Sequence, residues 1–172
     1  MDARALWELS YGVYIVGTMD GERPTGCVAN SAMQITSDPA TIALSLNHNN
    51  YTRDVIEKTG RFSLMVCSEE MEPLTIGTFG FRTGRDFDKF AQFAYYQLQQ
   101  NVPVLKKGIT AWLSCEVVNK METDTHTVFL GKIIDAAKLP NAGKPMTYAY
   151  YHSVIKGRAP KNAPTYIDSG KL

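Results

Sequence analysis

Cysteine is scarce in this chain, and the three cysteines, Cys27, Cys67 and Cys115, lie far apart in the sequence. No C-x-x-C pair is present, so the ligand sets of zinc ribbons, rubredoxin-type iron sites and iron–sulfur clusters are missing. We therefore expect no metal site. Three separated cysteines are typical of free thiols in a reducing compartment, which predicts a cytoplasmic location.

Long hydrophobic runs are also missing. No apolar stretch approaches the roughly 20 residues that a membrane-spanning helix needs, and the N-terminus lacks the basic start and apolar core of a secretory signal. The 18 Lys and Arg residues nearly balance the 17 Asp and Glu residues. Bulk charge therefore gives no reason to expect a nucleic-acid or membrane partner.

A glycine-rich nucleotide loop is the third missing feature. No G-x-G-x-x-G or Walker-type loop connects a strand to a helix, which argues against a doubly wound parallel sheet. The 172 residues suit a single domain. The domain prediction therefore covers residues 1–172, with residues 156–172 as an extended arm on a surface of this subunit or of a partner.

What the sequence does contain is a succession of β-branched and aromatic segments, each bounded by turn residues. The predicted strands cover residues 13–18, 25–36, 41–47, 62–67, 111–118 and 127–134. A short amphipathic helix is expected at the N-terminus, and two longer helices are expected to begin at Thr52 and at Ser68. Many strands with few helices predict a mainly β, antiparallel barrel. Gly131 is expected to mark a bulge or a close approach of the backbone.

Three segments could hold a phosphorylated planar ligand. The first, residues 30–37, offers backbone N–H groups and the side chains of Asn30, Ser31 and Gln34 to a ring edge. An ordinary edge strand with a polar face explains the same residue types. At this point both interpretations stay open.

The second segment, residues 45–53, is a strand end followed by a polar loop and a helix start. The free N–H groups at a helix N-terminus bind anions, and Asn50 or Thr52 could add a side-chain hydrogen bond. Simple helix capping is the alternative, because most capped helices bind nothing.

The third segment, residues 79–90, is a glycine-hinged loop that carries cations and aromatic rings. Arg82, Thr83 and Lys89 could close over a phosphate. The alternative is a solvated charged loop, in which Asp86 and Asp88 neutralise the cations.

The order of the sequence blocks resembles the flavin reductase-like, FMN-binding split-barrel family. The blocks are L-S-Y-G-V-Y-I-V-G, A-N-S-A-M-Q-I-T-S-D-P, G-T-F-G-F-R-T-G-R-D-F-D-K-F, T-H-T-V-F-L-G-K-I-I-D-A, M-T-Y-A-Y-Y-H and P-K-N-A-P-T-Y. They cover nearly the whole chain. Within the family, the chain is most similar to the flavoredoxin, archaeal ferric reductase and high-molecular-weight rubredoxin branch.

The resemblance implies a six-stranded antiparallel Greek-key split β-barrel with a few flanking helices, which dimerises and binds FMN near the subunit boundary. NADH or NADPH would be the electron donor. The implied cofactor-binding residues come from all three segments: Asn30, Ser31, Ala32, Gln34, Ser45, Leu46, Asn47, Asn50, Thr52, Phe81, Arg82, Thr83 and Lys89.

The resemblance also implies residues near the open face of the flavin. His126 is the expected catalytic residue, since it could orient the nicotinamide or the acceptor and supply a proton. Cys27, Tyr150 and His152 are the expected substrate-binding residues. An ordinary structural hydrogen bond is the alternative for both histidines.

Two positions depart from the pattern of the branch. The ferric reductase relatives have a cysteine where this chain has Ser45, and relatives often have a glutamine where it has Cys27. A serine cannot replace a thiol towards a soft or ferric substrate. Reduction of a ferric complex is therefore less secure than binding of the flavin.

Three functions remain open from the sequence. The first is a reductase that passes electrons from NAD(P)H through FMN to free flavin, a ferric complex or a redox protein. The second is an FMN-containing electron carrier that serves a rubredoxin-like partner without oxidising nicotinamide directly. The third is a split barrel that has lost its flavin.

Overall fold

The computed structural model describes residues 2–166, which form nine strands, one short 3-10 helix (Ala3–Glu8) and three α-helices. The strands are β1 (Tyr14–Asp20), β2 (Arg23–Ala29), β3 (Ala32–Ser37), β4 (Ala40–Asn47), β5 (Arg61–Cys67), β6 (Tyr95–Gln97), β7 (Pro103–Leu105), β8 (Ile109–Glu122) and β9 (His126–Lys138). The helices are α1 (Tyr51–Thr59), α2 (Pro73–Phe81) and α3 (Tyr148–Ser153).

Seven of these strands form one antiparallel sheet in the order β2-β1-β5-β8-β9-β4-β3. Laid flat, its two edge strands would lie about 29 Å apart, at about 4.8 Å for each of six spacings. However, β2 and β3 are joined only by Asn30 and Ser31, a link that reaches roughly 10 Å even when extended. The sheet must therefore curl until its edges meet, which is the geometry of a split barrel.

Two hydrophobic cores lie on the two faces of the curled sheet. Successive residues of β1 alternate between them, because side chains along a strand point to opposite faces. Val16 belongs to the inner core with Phe62, while Ile15 belongs to the outer core with Met65. The outer core is covered by α2, α3 and the segment that contains β6 and β7.

The mainly β, antiparallel prediction is confirmed, with three differences in detail. The segment predicted as one strand over residues 25–36 is two strands, because the chain changes from one edge of the sheet to the other at Asn30. The prediction that the second long helix begins at Ser68 is wrong, because Ser68 stabilises a turn and Pro73 begins α2. The first long helix is capped by Asn50, not by Thr52.

Short elements account for what the sequence analysis missed. The hairpin β6–β7 has three residues in each strand, and α3 has six residues. The N-terminal helix, predicted to be amphipathic, is a single 3-10 segment whose Leu6 is exposed, as is Leu9 beyond it. No helix in residues 2–166 has the length and the apolar character needed to span a bilayer.

The close approach predicted at Gly131 is confirmed. A Cβ atom on Gly131 would lie 2.7 Å from the ring Cζ of Phe62 and 3.1 Å from the Cβ of Cys115. The pairing of β8 with β9 also shifts at this point, since Val117 pairs with Gly131 and Asn119 with the preceding residue. Only glycine leaves room for the Phe62 ring at the centre of the inner core.

Candidate functional site

A cleft of about 600 Å³ opens where the two edges of the sheet meet. All three segments singled out in the sequence contribute to it, together with β2, α3 and the C-terminal arm. The predicted residues that line it are Cys27, Asn30, Ser45, Leu46, Asn47, Asn50, Phe81, Arg82, Thr83 and Lys89.

The charges around the cleft are all of one sign. Arg82, Lys89, Arg158 and Lys161 line it, whereas no Asp or Glu does so in the described part of the chain. The whole protein carries a net charge of only +1. The cations are therefore concentrated where a bound anion would be attracted most strongly.

The N-terminus of α1 also faces the cleft. Asn49, Asn50 and Tyr51 line the cleft at the start of the helix. The Asn50 side chain accepts a hydrogen bond from the Thr52 backbone N–H at 3.0 Å, and the Asn47 side chain accepts one from Asn49 at 2.9 Å. The amide side chains thus fix the loop, and the helix dipole adds partial positive charge beside the cations.

The loop that carries Arg82 and Thr83 is fastened to β2 and to α1. Arg23 donates to the Gly84 carbonyl at 2.9 Å, and Arg85 forms an ion pair with Asp54 at 2.6 Å. The Arg82 guanidinium stacks on the Phe87 ring at 4.6 Å. Stacking holds a guanidinium in place through its flat face and leaves the N–H groups along its edge for a ligand.

Lys89 is buried, with 3% of its surface exposed. Its ammonium donates to the Gly26 carbonyl at 2.7 Å and to the Phe79 carbonyl at 3.0 Å. Burial lowers the pKa of Lys89, and its coulombic interaction with Cys27 partly opposes this shift. An ammonium has three N–H donors, so one is left for a ligand in the cleft.

Cys27 is a buried thiol on the wall of the cleft. Burial raises its pKa, and the Lys89 ammonium together with hydrogen bonds from Asn50 and Thr52 opposes part of that increase. The thiol is therefore protonated at neutral pH. A protonated, buried thiol contributes shape to the cleft and is a poor nucleophile.

Several predicted residues lie outside the lining of the cleft. Ser31 donates to the Asn30 side chain at 3.1 Å, and Ala32 packs against the inner core. Gln34 is exposed and donates to the Thr36 carbonyl at 3.3 Å. Past Asn30, the first segment is an edge strand outside the lining of the cleft, and contact of Ser31, Ala32 and Gln34 with a ligand stays a prediction.

The remaining predicted residues lie behind or beside the cleft. Thr52 is buried in the first turn of α1. On α3, Tyr150 is half-buried against the outer core, while His152 is exposed with its ring 4.3 Å from the Tyr148 ring. Neither residue of α3 reaches the cleft directly.

His126 pairs across β4 and β9 with Asn47, which lines the cleft, but His126 is not itself among the lining residues. Its Nδ1 lies 2.8 Å from the Thr125 hydroxyl, and its Nε2 is buried. Burial and the neighbouring His48 lower the pKa of His126, and a hydrogen bond with the Asn162 backbone partly opposes this shift. The ring is therefore neutral at neutral pH.

The sequence analysis missed the C-terminal side of the cleft. Residues 158–164 and Tyr166 line it, as do Tyr148 and Tyr151 of α3. The described part of the predicted arm, residues 156–166, thus lies along the cleft of its own chain; residues 167–172 fall outside the described residues. In the sequence, this side of the cleft is marked only by the block P-K-N-A-P-T-Y. That block has no hydrophobic periodicity, so its position in the fold could not be predicted.

A barrel cleft with four cations, side-chain amides and aromatic walls is the type of site that binds a phosphorylated planar ligand. The model of the flavin reductase like domain matches residues 6–157 of the chain. The protein therefore belongs to the flavin reductase like domain family.

Individual relatives agree with this assignment. The chain is 43% identical to the high molecular weight rubredoxin of Moorella thermoacetica, over 96% of this chain and 72% of that protein. It is 37% identical to the ferric-chelate reductase (NAD(P)H) of Archaeoglobus fulgidus, over 98% of this chain and 99% of that protein. The flavoredoxin structure from Methanosarcina acetivorans shares the fold, with a TM-score of 0.71 and 24% identity over 79% of this chain and 74% of that one.

Proposed function

We propose that the protein is an oxidoreductase that binds FMN in the cleft and passes electrons from NADH or NADPH to an acceptor. The observation that supports this most directly is the charge of the cleft, which four cations line without any carboxylate from residues 2–166. A phosphate dianion needs this environment, and a flavin ring needs the apolar and aromatic walls beside it.

The residues of the cleft fit the two parts of FMN. Arg82, Thr83, Lys89 and the N-terminus of α1 would hold the phosphate and ribityl chain. Asn30, Ser45 and Asn47 would meet the polar edges of the ring. When bound, the flavin supplies the hydride-accepting and electron-passing chemistry. The protein then has to bind the flavin, orient the nicotinamide against it and exclude water.

His126 is proposed to act next to this site. Its lowered pKa keeps the ring neutral at neutral pH, although a hydrogen bond with the Asn162 backbone partly opposes the shift. A neutral imidazole can form a hydrogen bond with the carboxamide of a nicotinamide or with a polar group of an acceptor. Because His126 pairs with Asn47, which lines the cleft, we propose that it helps to orient the ligand.

An electron carrier is the second candidate function. It is favoured by the high molecular weight rubredoxin, a longer relative of which this chain covers 72%. In that case a separate rubredoxin-like protein would exchange electrons with the bound flavin. Rapid mixing distinguishes the two functions: slow bleaching by NADH and NADPH with fast reduction by reduced rubredoxin indicates the carrier.

We propose further that the protein is a homodimer. Met33 and Ile35 of the edge strand β3 are 65% and 46% exposed. Met33 pairs with Ala43, and Ala43 pairs with Leu130, so an apolar row crosses three strands on the outside of the barrel. Light scattering tests this, with an expected mass of twice the 19.1 kDa of one chain.

We expect Arg82→Ala to weaken FMN binding by about 1–3 kcal/mol, because it removes a charge-assisted contact to the phosphate. Arg61→Ala is the matched control: it removes the same charge from an exposed position outside the cleft. Titration of flavin fluorescence measures both affinities. If the two variants bind FMN with equal affinity, Arg82 does not contact the phosphate.

A further inference from the structure

The C-terminal arm is fixed at its first end by a close crossing over α3. A Cβ atom on Gly157 would lie 2.0 Å from the ring Cζ of Tyr151, so only glycine lets the chain pass over this ring. The Gly157 N–H donates to the Tyr151 carbonyl at 3.0 Å, and the Tyr151 hydroxyl donates to the Arg158 carbonyl at 3.4 Å. The path of the arm is therefore set as it leaves α3.

The second end of the arm is fixed by Thr165. Its hydroxyl accepts a hydrogen bond from the Asn30 side chain at 2.7 Å and donates one to the Tyr148 hydroxyl at 2.9 Å. Asn30 is buried at the junction of β2 and β3, with 5% of its surface exposed. Thr165 thus supplies the acceptor that a buried amide requires.

Between these two anchors, the arm forms one wall of the cleft. Residues 158–164 all line it, and Arg158 and Lys161 are two of its four cations. Pro160 and Pro164 restrict the backbone of this stretch. Releasing either anchor would therefore widen the cleft and move half of its positive charge.

We propose that residues 157–165 form a strap, and that Thr165 and Gly157 are positioning residues that set how slowly bound FMN leaves the cleft. This inference rests on the proposed function, since FMN is the ligand retained. It assigns to the polar latch of Asn30, Thr165 and Tyr148 a role in holding the strap closed. With the latch closed, FMN stays bound as a cofactor. With the latch open, FMN would exchange with solution.

Three substitutions test the strap. Thr165→Val keeps the shape of the side chain but removes both hydrogen bonds, Tyr148→Phe removes one of them, and Gly157→Ala displaces the first anchor. Ser153→Ala is the control, because the Ser153 hydroxyl donates to the Ala149 carbonyl within α3 and to no other group in the described part of the chain. Thermal unfolding of each variant checks that the barrel is folded.

The first measurement is the rate of FMN release, followed by the recovery of flavin fluorescence after dilution. Each hydrogen bond is expected to slow release by about 3-fold. Tyr148→Phe loses one and should release FMN about 3-fold faster, and Thr165→Val loses two and should release it about 10-fold faster. Gly157→Ala displaces the anchor that holds two hydrogen bonds, so its release should also be about 10-fold faster. Ser153→Ala should release FMN at the rate of the original protein.

The second measurement is trypsin cleavage after Arg158 and Lys161, followed by mass spectrometry without any turnover. Faster cleavage at these two sites in Thr165→Val, with unchanged cleavage elsewhere, supports the strap. Release and cleavage rates within two-fold of the original protein would overturn the strap while leaving FMN binding intact. If the original protein binds no FMN, the proposed function fails and the strap fails with it.

Discussion

Lys89→Met is expected to lower the free energy of unfolding by about 2–4 kcal/mol and to reduce FMN affinity by at least about 100-fold. The ammonium of Lys89 satisfies the buried carbonyls of Gly26 and Phe79. A buried acceptor that loses its partner costs about 1–3 kcal/mol. The same substitution removes a cation of the cleft that is shielded from water, where its attraction for a phosphate is strongest.

The control for this experiment is Lys107→Met, which removes the same charge from an exposed position outside the cleft. Chemical denaturation measures stability, and a flavin titration measures affinity. If Lys89→Met unfolds at the same denaturant concentration as Lys107→Met and binds FMN equally well, Lys89 neither ties β2 to α2 nor contacts the ligand.

Gly131→Val is the second substitution with a large expected effect, and we expect it to prevent folding at 37 °C. Even the single Cβ of Gly131→Ala would lie 2.7 Å from the Phe62 ring, in a core where Phe62 is fully buried. Overpacking of this kind costs about 1–3 kcal/mol for one methyl group. The two further methyl groups of valine enter the same filled space.

A matched control and a rescue make this test specific. Gly77→Ala, in α2, has no atom within 4 Å of the new Cβ, so we expect unchanged or slightly higher stability. Phe62→Leu in the Gly131→Ala background should recover part of the lost stability, because it shortens the side chain that collides. A double-mutant cycle without coupling between these two positions would contradict the steric explanation.

The strands of the barrel could be predicted from the sequence because each is a β-branched and aromatic segment bounded by turn residues. The boundaries failed where a local signal competes with a longer-range constraint. Ser68 and the acids after it are typical of a helix start, but Pro73 disfavours helical geometry in the residue before it, and α2 begins only there. The break at Asn30 has no local signal, since it arises from closure of the sheet.

Local sequence signals also predicted part of the candidate site. The capped helix start predicted Asn50 and the charged loop predicted Arg82, and both line the cleft, as does Asn47, which only the family resemblance implied. Gln34 was expected beside them because of the polar side chains of the first segment, but it is exposed on the edge strand and is not among the residues that line the cleft. Contacts of the arm depend on tertiary packing, because Asn30 and Thr165 are 135 residues apart.

The visible spectrum of the purified protein, recorded without oxygen before and after addition of NADH or NADPH, tests the central claim most directly. The account predicts a yellow protein, or one that becomes yellow with one equivalent of FMN per chain, whose flavin absorbance bleaches when the nicotinamide is added. A colourless protein that leaves added FMN free in solution would contradict it.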